Sequence, residues 1–541
     1  MKHRICGILL SFCILLTLLA ACSSKPEESG KNLDPTSTGL QTSTQKDQIG
    51  TETGNETQSS SDPSAKTISS GKRDQTGDSS TVATSSTVAT GKDSNARYDI
   101  KGEVTVAIDT ARATDFKGLF DNFSSVYPNI KLNFKYFQHK NTGGSNEDNA
   151  MEFLTSCAAT NTMPDVVFDD AGFMTFYLSQ GWVHPLNNFI KNDSDYNYVP
   201  RNLIESLTFR NKLYALPGSL HFNGVYVNMD LIDELNMKKP SLSWTMNDMA
   251  QYLRKATTDK YSGTNEISNM QVLHYSGIYG TRTDTTTLGY NYKSRSFDLS
   301  GLRKAVNYVK QLNQVPGLVT GKMSPDDFAS KFGATGVSVI ERGLVLLRLG
   351  VGTWILNTDN SKTSYKRVLW TPPQEKKGRI GMHMDYSFMT STAKNPEAAF
   401  QVLRYITYSS EGNLARLSMY DKANKGKYEL KSPYYIPATQ HPAVKKKFET
   451  LPNIGEYEKY CFNNMQNCFR VDPEKFIPNW LDMFNGMFVP EVSKVMNGES
   501  DLDSTITNLQ RSMTSYMNGK WKAFDDKLAK IQADFEKKHK K

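Results

Sequence analysis

Cysteine is scarce in this chain and poorly placed for chemistry. There are six in 541 residues, two of them, Cys6 and Cys13, within the first twenty-one residues, and no Cys-x-x-Cys pair exists to hold zinc or run a thiol exchange. With Cys22 set aside, Cys157, Cys461 and Cys468 are an odd set, which rules out a complete disulfide framework. Cys461 and Cys468 lie seven apart, about 10 Å along one helix and beyond disulfide reach. A bridge between them requires a break in the helix; the other reading is two buried thiols. Eight histidines are scattered without metal-ligand spacing. There is no phosphate-binding loop, no His-Glu-x-x-His, no Gly-x-Ser-x-Gly and no dinucleotide fingerprint. Asp193-Ser194-Asp195-Tyr196-Asn197 starts like a calcium loop but has Tyr198 where a glycine is needed and Ile204 where a glutamate is needed; it reads as a turn before a helix. No metal and no cofactor are expected. The formal charge of +8 is interspersed with acid, and no basic stripe with interleaved aromatics exists, which argues against nucleic acid. The terminal run from Glu536 to Lys541 reads as a solvated helix end. Beyond the N-terminus the most apolar stretch, Gly343 to Leu356, is too short to cross a ~30 Å hydrocarbon core and contains Arg348.

The N-terminus itself has a clear pattern. Lys2 and Arg4 precede an apolar stretch from Ile8 to Leu19, and Leu19-Ala20-Ala21-Cys22 closes it. A positive region, a short apolar core and small residues form a secretory signal, and the cysteine that follows makes it a bacterial lipobox. Residues 1–21 are expected to be removed as a lipoprotein signal peptide. The Cys22 thiol would then carry a diacylglycerol, so that the mature chain hangs from the extracytoplasmic face of the cell membrane. From Ser23 to about Asn95 the chain is almost all Ser, Thr, Gly, Asp, Lys and Gln, too polar to offset the entropy of ordering. Ser79 to Thr84 is repeated at once as Ser85 to Thr90. Residues 22–97 are therefore expected to be a disordered tether, with a reach of roughly 40–50 Å.

The remainder is too long for one ordinary core, so two lobes are expected. Glu103 to Ile108 reads as a strand, Asp115 to Tyr127 as a helix stopped by Pro128, and Ile130 to Tyr136 as a second strand. A helix around Ala150 to Ala159 and a strand from Pro164 to Asp170 follow. Strand and helix in alternation predict a doubly wound α/β fold, with ligands at the carboxyl ends of strands. Asp109, Asp169 and Asp170 sit at such ends; the alternative is that they are ordinary loop carboxylates.

A resemblance then emerges from motifs in order. "PDVVFDD", "LSQGWVHPLNNFI" and "NKLYALPGSLHFNGVYVNMDLIDELNMKKPSLSWTMNDMAQYLRKAT" are followed by "ERGLVLLRLGVGTW", "VLWTPPQEKKGR", "STAKNPEAAFQVLRYITYSSEG" and "VSKVMNGESDLDSTITNLQ". This set resembles the extracellular solute-binding proteins of ATP-binding-cassette (ABC) importers, in the branch that takes sugars and oligosaccharides. Asn211 stands where the family usually has glycine, and it tolerates positive φ. The segment near Gly333 to Ile340 is blurred, and Gly263 to Ser300 matches poorly, which leaves the ligand less defined than the fold.

The resemblance implies an α/β, two-lobe periplasmic-binding-protein-like fold with a ligand cleft between the lobes and about three hinge crossings. Lobe 1 is expected over 98–220 plus 386–470, and lobe 2 over 221–385 plus 471–541. It implies a binding protein, not an enzyme. The partners would be a carbohydrate ligand and the transmembrane subunits of an ABC permease, and the body would be a monomer. On one wall it places Asp109, Thr110, Arg112, Asp169 and Asp170; Trp354 would face them, with His221, His383, Asp385, Tyr386, Trp480 and Phe484 near the crossings. Carboxylates, amides and arginine suit sugar hydroxyls, and Trp or Tyr suits the apolar face of a pyranose. Trp354 is either a stacking face or a core aromatic. Trp370 reads as buried strand, and Trp182 and Trp244 as structural. A surface polysaccharide hydrolase or lyase, or a sugar-sensing lipoprotein of the same fold, remains as an alternative.

Overall fold

The computed structural model describes residues 97–138, 148–170, 172–276, 288–333, 338–353, 365–423, 436–451 and 454–539. Cys22, the signal and tether segments, and Trp354 lie outside the described residues.

The strands come in the order β1 (Gly102–Asp109), β2 (Ile130–Phe137), β3 (Val166–Asp170), β4 (Leu216–Asn228) and β5 (Ser262–Thr264), followed by β6 (Val345–Gly352), β7 (Arg367–Trp370), β8 (Gly381–Met389) and β9 (Phe469–Arg470). All nine form one sheet with the path β2-β1-β3-β8-β4-β6-β5, where β7 adds to β4 and β9 to β8. The expected α/β class is what the structure shows, and the first strands are parallel, as βαβ crossovers require. β4 is the strand that joins the two halves. Its first part, Leu216 to Phe222, pairs with β8, while Asn223 to Asn228 pairs with β6 and β7. Thirteen residues buried at almost every position let it serve both; a strand covered on both faces loses the polar alternation. The segment from β7 to β8 returns from the second of these halves to the first.

Helix α1 (Thr110–Val126) begins five residues earlier than its apolar spacing predicts. The cause is a cap: Asp109 Oδ1 accepts from the Arg112 backbone N–H at 3.3 Å, so the turn Thr110-Ala111-Arg112 is helical without apolar residues. Phe120 then packs edge-on against Phe134 of β2 and Phe168 of β3, and Phe123 is buried against Tyr405. β3 starts at Val166, two residues later than expected. Asp165 is turned away to accept from Thr105 N–H (2.7 Å) and Lys394 N–H (2.9 Å).

The run that began like a calcium loop is a pair of internal acceptors. Asp193 accepts from the Tyr408 hydroxyl at 2.7 Å and pairs with Arg404, and Asp195 accepts from Ser410 N–H. A 3₁₀ turn (Asp195–Tyr198) and a short helix (Arg201–Glu205) follow. Trp244 is buried, with its indole N–H on Thr371 O at 2.8 Å, and Trp370 is buried in β7. Cys461 and Cys468 are free and buried, and burial pushes the Cys468 thiol up to about 12. The helix carrying Cys461 ends at Asn463, and the chain does have a break there, yet no bridge forms. The C-terminal helix α2 (Leu502–His539) is 38 residues long, about 57 Å. It contacts both halves, through Arg295–Asp525 and Arg303–Asp503 near one and Gln532–Tyr214 near the other. Among the described residues no helix is long and apolar enough to cross a membrane.

Candidate functional site

Five adjacent strands bring residues to one level at the carboxyl edge of the parallel strands, the Asp170 side chain lying outside what the structure describes. β1 ends in Asp109 and hands on to Thr110 and Arg112, β3 ends in Asp169 and Asp170, β8 contributes Asp385, and β4 contributes Ser219 and His221. The register places them side by side: Asp170 is opposite Tyr386, and His221 is opposite His383. β2 adds Phe137 opposite Asp109.

Asp169 is buried, with backbone φ of +50°, a left-handed conformation rare outside glycine. What holds it there is a full set of donors. Its carboxylate accepts from Ser219 N–H (2.7 Å), Ser219 Oγ (2.6 Å) and the Arg112 guanidinium, and its own N–H donates to Ser387 Oγ (2.8 Å). Gly218 allows the approach, because a Cβ there would collide with Asp169 Oδ1. Arg112 is the fork between two carboxylates, with Nη1 on Asp169 and Nη2 on Asp385 Oδ2 at 2.7 Å. Its side chain stays 27% exposed. Asp385 also meets His221 Nε2 at 3.4 Å and Lys475 Nζ at 3.0 Å. Lys475 reaches on to Asp472 (3.3 Å), and Asp472 pairs with Arg470. The result is an unbroken alternation, Asp169, Arg112, Asp385, Lys475, Asp472, Arg470, with three charges of each sign.

Such a chain is tolerable in a core only because every charge has a partner. Burial alone would push the Asp385 carboxyl up, but Lys475 and Arg112, helped by His221, hold it well below the usual carboxylate range. Asp472 is lowered in the same way by Arg470 and Lys475 against its burial. Burial opposes the Lys475 charge, and Asp385 with Asp472 outweighs it and holds the ammonium above the usual lysine range.

The remaining expected site residues divide into two groups. Thr110 is exposed and donates to Phe137 O at 3.1 Å, and His383 is half-buried on β8. Asp109 is buried as the α1 cap. Tyr386 is fully buried, with its hydroxyl on Gly172 O (2.7 Å) and its ring against Phe476 (5.7 Å). Trp480 is buried against Phe297 and Tyr290, both at 5.9 Å. Phe484 is half-buried and stacked on Phe488. The structure thus brings Asp109, Thr110, Arg112, Asp169, His221, His383 and Asp385 together and puts Tyr386 and Trp480 in packed surroundings.

A family model described as bacterial extracellular solute-binding protein matches residues 108–409, more than half of the chain, with four of the site's strands and the end of β1. This chain is a member of that family. Solved structures agree on the fold of this solute-binding protein. A sugar transporter protein from Rhizobium etli in an open conformation is similar with a TM-score of 0.54 at 16% identity, over 76% of this chain and 99% of that one. An ABC substrate-binding protein from Listeria monocytogenes in complex with cycloalternan gives 0.50 at 16%, over 77% and 100%. An extracellular solute-binding protein, family 1, from Alicyclobacillus acidocaldarius gives 0.52 at 16%, over 77% and 98%.

Sequence reasoning missed Ser219, Lys475 and Asp472. A signal for the last two was present. Phe469-Arg470-Val471-Asp472-Pro473-Glu474-Lys475-Phe476-Ile477 sets charges of both signs among apolar residues, the composition of charges buried as pairs.

The buried chain gives the solute-binding protein a defined pH response. Asp385 and Asp472 have lowered folded values, so their stabilisation is complete above the unfolded carboxylate range, ~4, and lost as pH falls through the folded values. Lys475 is raised, so its share is present at neutral pH and lost only above the lysine range. Urea unfolding should show a plateau around neutrality and a steep fall in stability below about pH 4. Constant stability from pH 6 to pH 3 would contradict the arrangement.

Proposed function

We propose that this protein is a lipid-anchored receptor on the outer face of the cell membrane that captures a carbohydrate and passes it to an ABC-type permease. The observation that carries the reading is the row at the carboxyl edge, where the partly exposed Arg112 side chain, the His221 imidazole and Thr110 flank the junction of the two sheet halves in a solute-binding family member. Carboxylates beneath the row fix the donors in place, which lets them meet sugar oxygens without further ordering. The similar proteins described as a sugar transporter and as a complex with cycloalternan point to the same ligand class.

The lobes would be close to residues 98–220 with 386–470 and residues 221–385 with 471–541, the division shifted so that β8 stays whole with the first part of β4, and they would close on the solute by hinge motion at about three crossings. The lipid on Cys22 and the tether over 22–97 would keep a monomeric body near the permease and raise its effective concentration there. Trp354 would supply a stacking face opposite the row. The reading is one of binding and not turnover, in keeping with the solute-binding family to which the chain belongs.

Heating the purified protein with a panel of mono- and oligosaccharides tests this. A ligand at 100 times its dissociation constant adds ~2.7 kcal/mol of stability, so one class of sugar should raise the melting temperature. A panel in which amino acids or peptides stabilise the protein and sugars do not would point to another solute.

A further inference from the structure

A second opening lies away from the row. Residues of the 3₁₀ turn Asp195–Tyr198, of the helix Arg201–Glu205 and of the chain on to Asn211 line it together with the hairpin over 290–297 and α2, and they enclose about 650 Å³. None of the row's residues lines this cavity. Its walls are aromatic, built from Tyr196, Phe209, Tyr292, Phe476 and Trp521. Four cations and two carboxylates also line it, and both carboxylates are taken: Glu205 pairs with Lys293 at 3.3 Å, and Asp525 pairs with Arg295 at 2.6 Å. Arg295 also lies over Trp521, 4.3 Å from the ring centre. Arg201 and Arg210 are left over. Both are exposed, and neither forms an ion pair among the described residues; Arg210 Nε donates to the Gln532 side-chain oxygen at 3.2 Å. Tyr292 has a buried hydroxyl with no hydrogen-bond partner among the described residues, a polar group that the fold leaves unused.

We propose that this cavity is a second binding site, for a small organic anion with a flat ring, its charged group held by Arg201 and Arg210. The site is separate from the carbohydrate reading and stands without it. Ser206 lines the cavity and accepts from Arg470 at 3.3 Å, and Arg470 is the far end of the buried charge chain that starts at Asp169. A run of satisfied ion pairs therefore lies between this cavity and the row. The volume falls within the ~300–1,000 Å³ of small-molecule sites. Four cations against two carboxylates leave an excess of positive charge in a recess with apolar walls, which concentrates the field and draws an anion. A guanidinium meets a carboxylate through two parallel N–H donors, and here two guanidiniums have no carboxylate of their own. Aromatic walls take a flat ring in offset or edge-on contact, and the Tyr292 hydroxyl is free to bond a polar atom carried on it.

The test is calorimetric titration of the purified protein with 2-naphthoate, with its neutral counterpart 2-naphthamide and with inorganic phosphate. 2-Naphthoate should saturate at one equivalent per chain and bind roughly tenfold or more tighter than either of the others. The double variant Arg201→Gln, Arg210→Gln should lose about that factor for 2-naphthoate and, with both side chains exposed, melt like the wild type. Arg201→Glu alone should weaken 2-naphthoate in the same direction, and it decides the matter if the double variant melts early. Equal affinity for 2-naphthoate and 2-naphthamide overturns the anion, and equal affinity for 2-naphthoate and phosphate overturns the ring. Full 2-naphthoate affinity in both variants, binding at several equivalents, or no heat from any of the three probes overturns the site.

Discussion

Replacing Lys475 with methionine should destabilise the protein by about 3–5 kcal/mol at neutral pH, the usual cost of breaking a buried ion pair from one side. The substitution keeps the shape of the aliphatic stem, so the loss reports the charge. Lys475 Nζ touches Asp385 Oδ1 at 3.0 Å, Asp472 Oδ2 at 3.3 Å and Met384 O at 3.3 Å, and its side chain is only 7% exposed. Without it, two buried carboxylates share what Arg112 and Arg470 supply. The pH response distinguishes this from a packing defect. In the variant Asp385 loses its strongest cation and its carboxyl rises toward the ordinary range, so acid that protonates it relieves the strain. The stability gap to wild type should therefore hold from pH 7 down to about pH 4 and shrink as pH falls below that. Coincident urea curves at pH 7 would remove the charge chain from the account, and a gap independent of pH would reduce Lys475 to a spacer.

The second large effect concerns location. Cys22→Ala should abolish acylation and release the protein from the membrane fraction, because a thiol at that position is the only acceptor the lipobox provides. The C-terminal helix offers no substitute: its Lys537 and Lys538 are exposed beside Asp534 and Glu536. Incorporation of labelled fatty acid and membrane fractionation read both outcomes. A variant that still partitions with membranes through detergent-sensitive acyl attachment contradicts the lipobox.

The fold was largely legible because its signals are local. β1, β2 and β3 alternate or run apolar over short spans, and Pro128 separates a helix from a strand without ambiguity. The early start of α1 was not legible, since it depends on the Asp109 side chain accepting a backbone N–H and not on periodicity. The site was legible in part. Asp109, Asp169 and Arg112 stand at strand ends, where the doubly wound pattern puts ligands, but the sequence does not say whether a carboxylate faces ligand or neighbour. Asp169 faces Ser219 and Arg112, fifty and fifty-seven residues away, and that pairing is made by tertiary packing. Tyr386 and Trp480 show the same limit from the other side: aromatics near a crossing are equally suited to stacking on a sugar or on Phe476 and Phe297.

The most direct test of the central claim is to titrate the purified protein with the stabilising sugar and then recover that sugar for mass analysis. The account predicts saturation at one equivalent per chain, a heat signal lost in Arg112→Ala, and sugar returned with its mass unchanged after prolonged incubation. Shortened or unsaturated products would make the protein an enzyme acting on polysaccharide, and full affinity in Arg112→Ala would move the site away from the sheet edge.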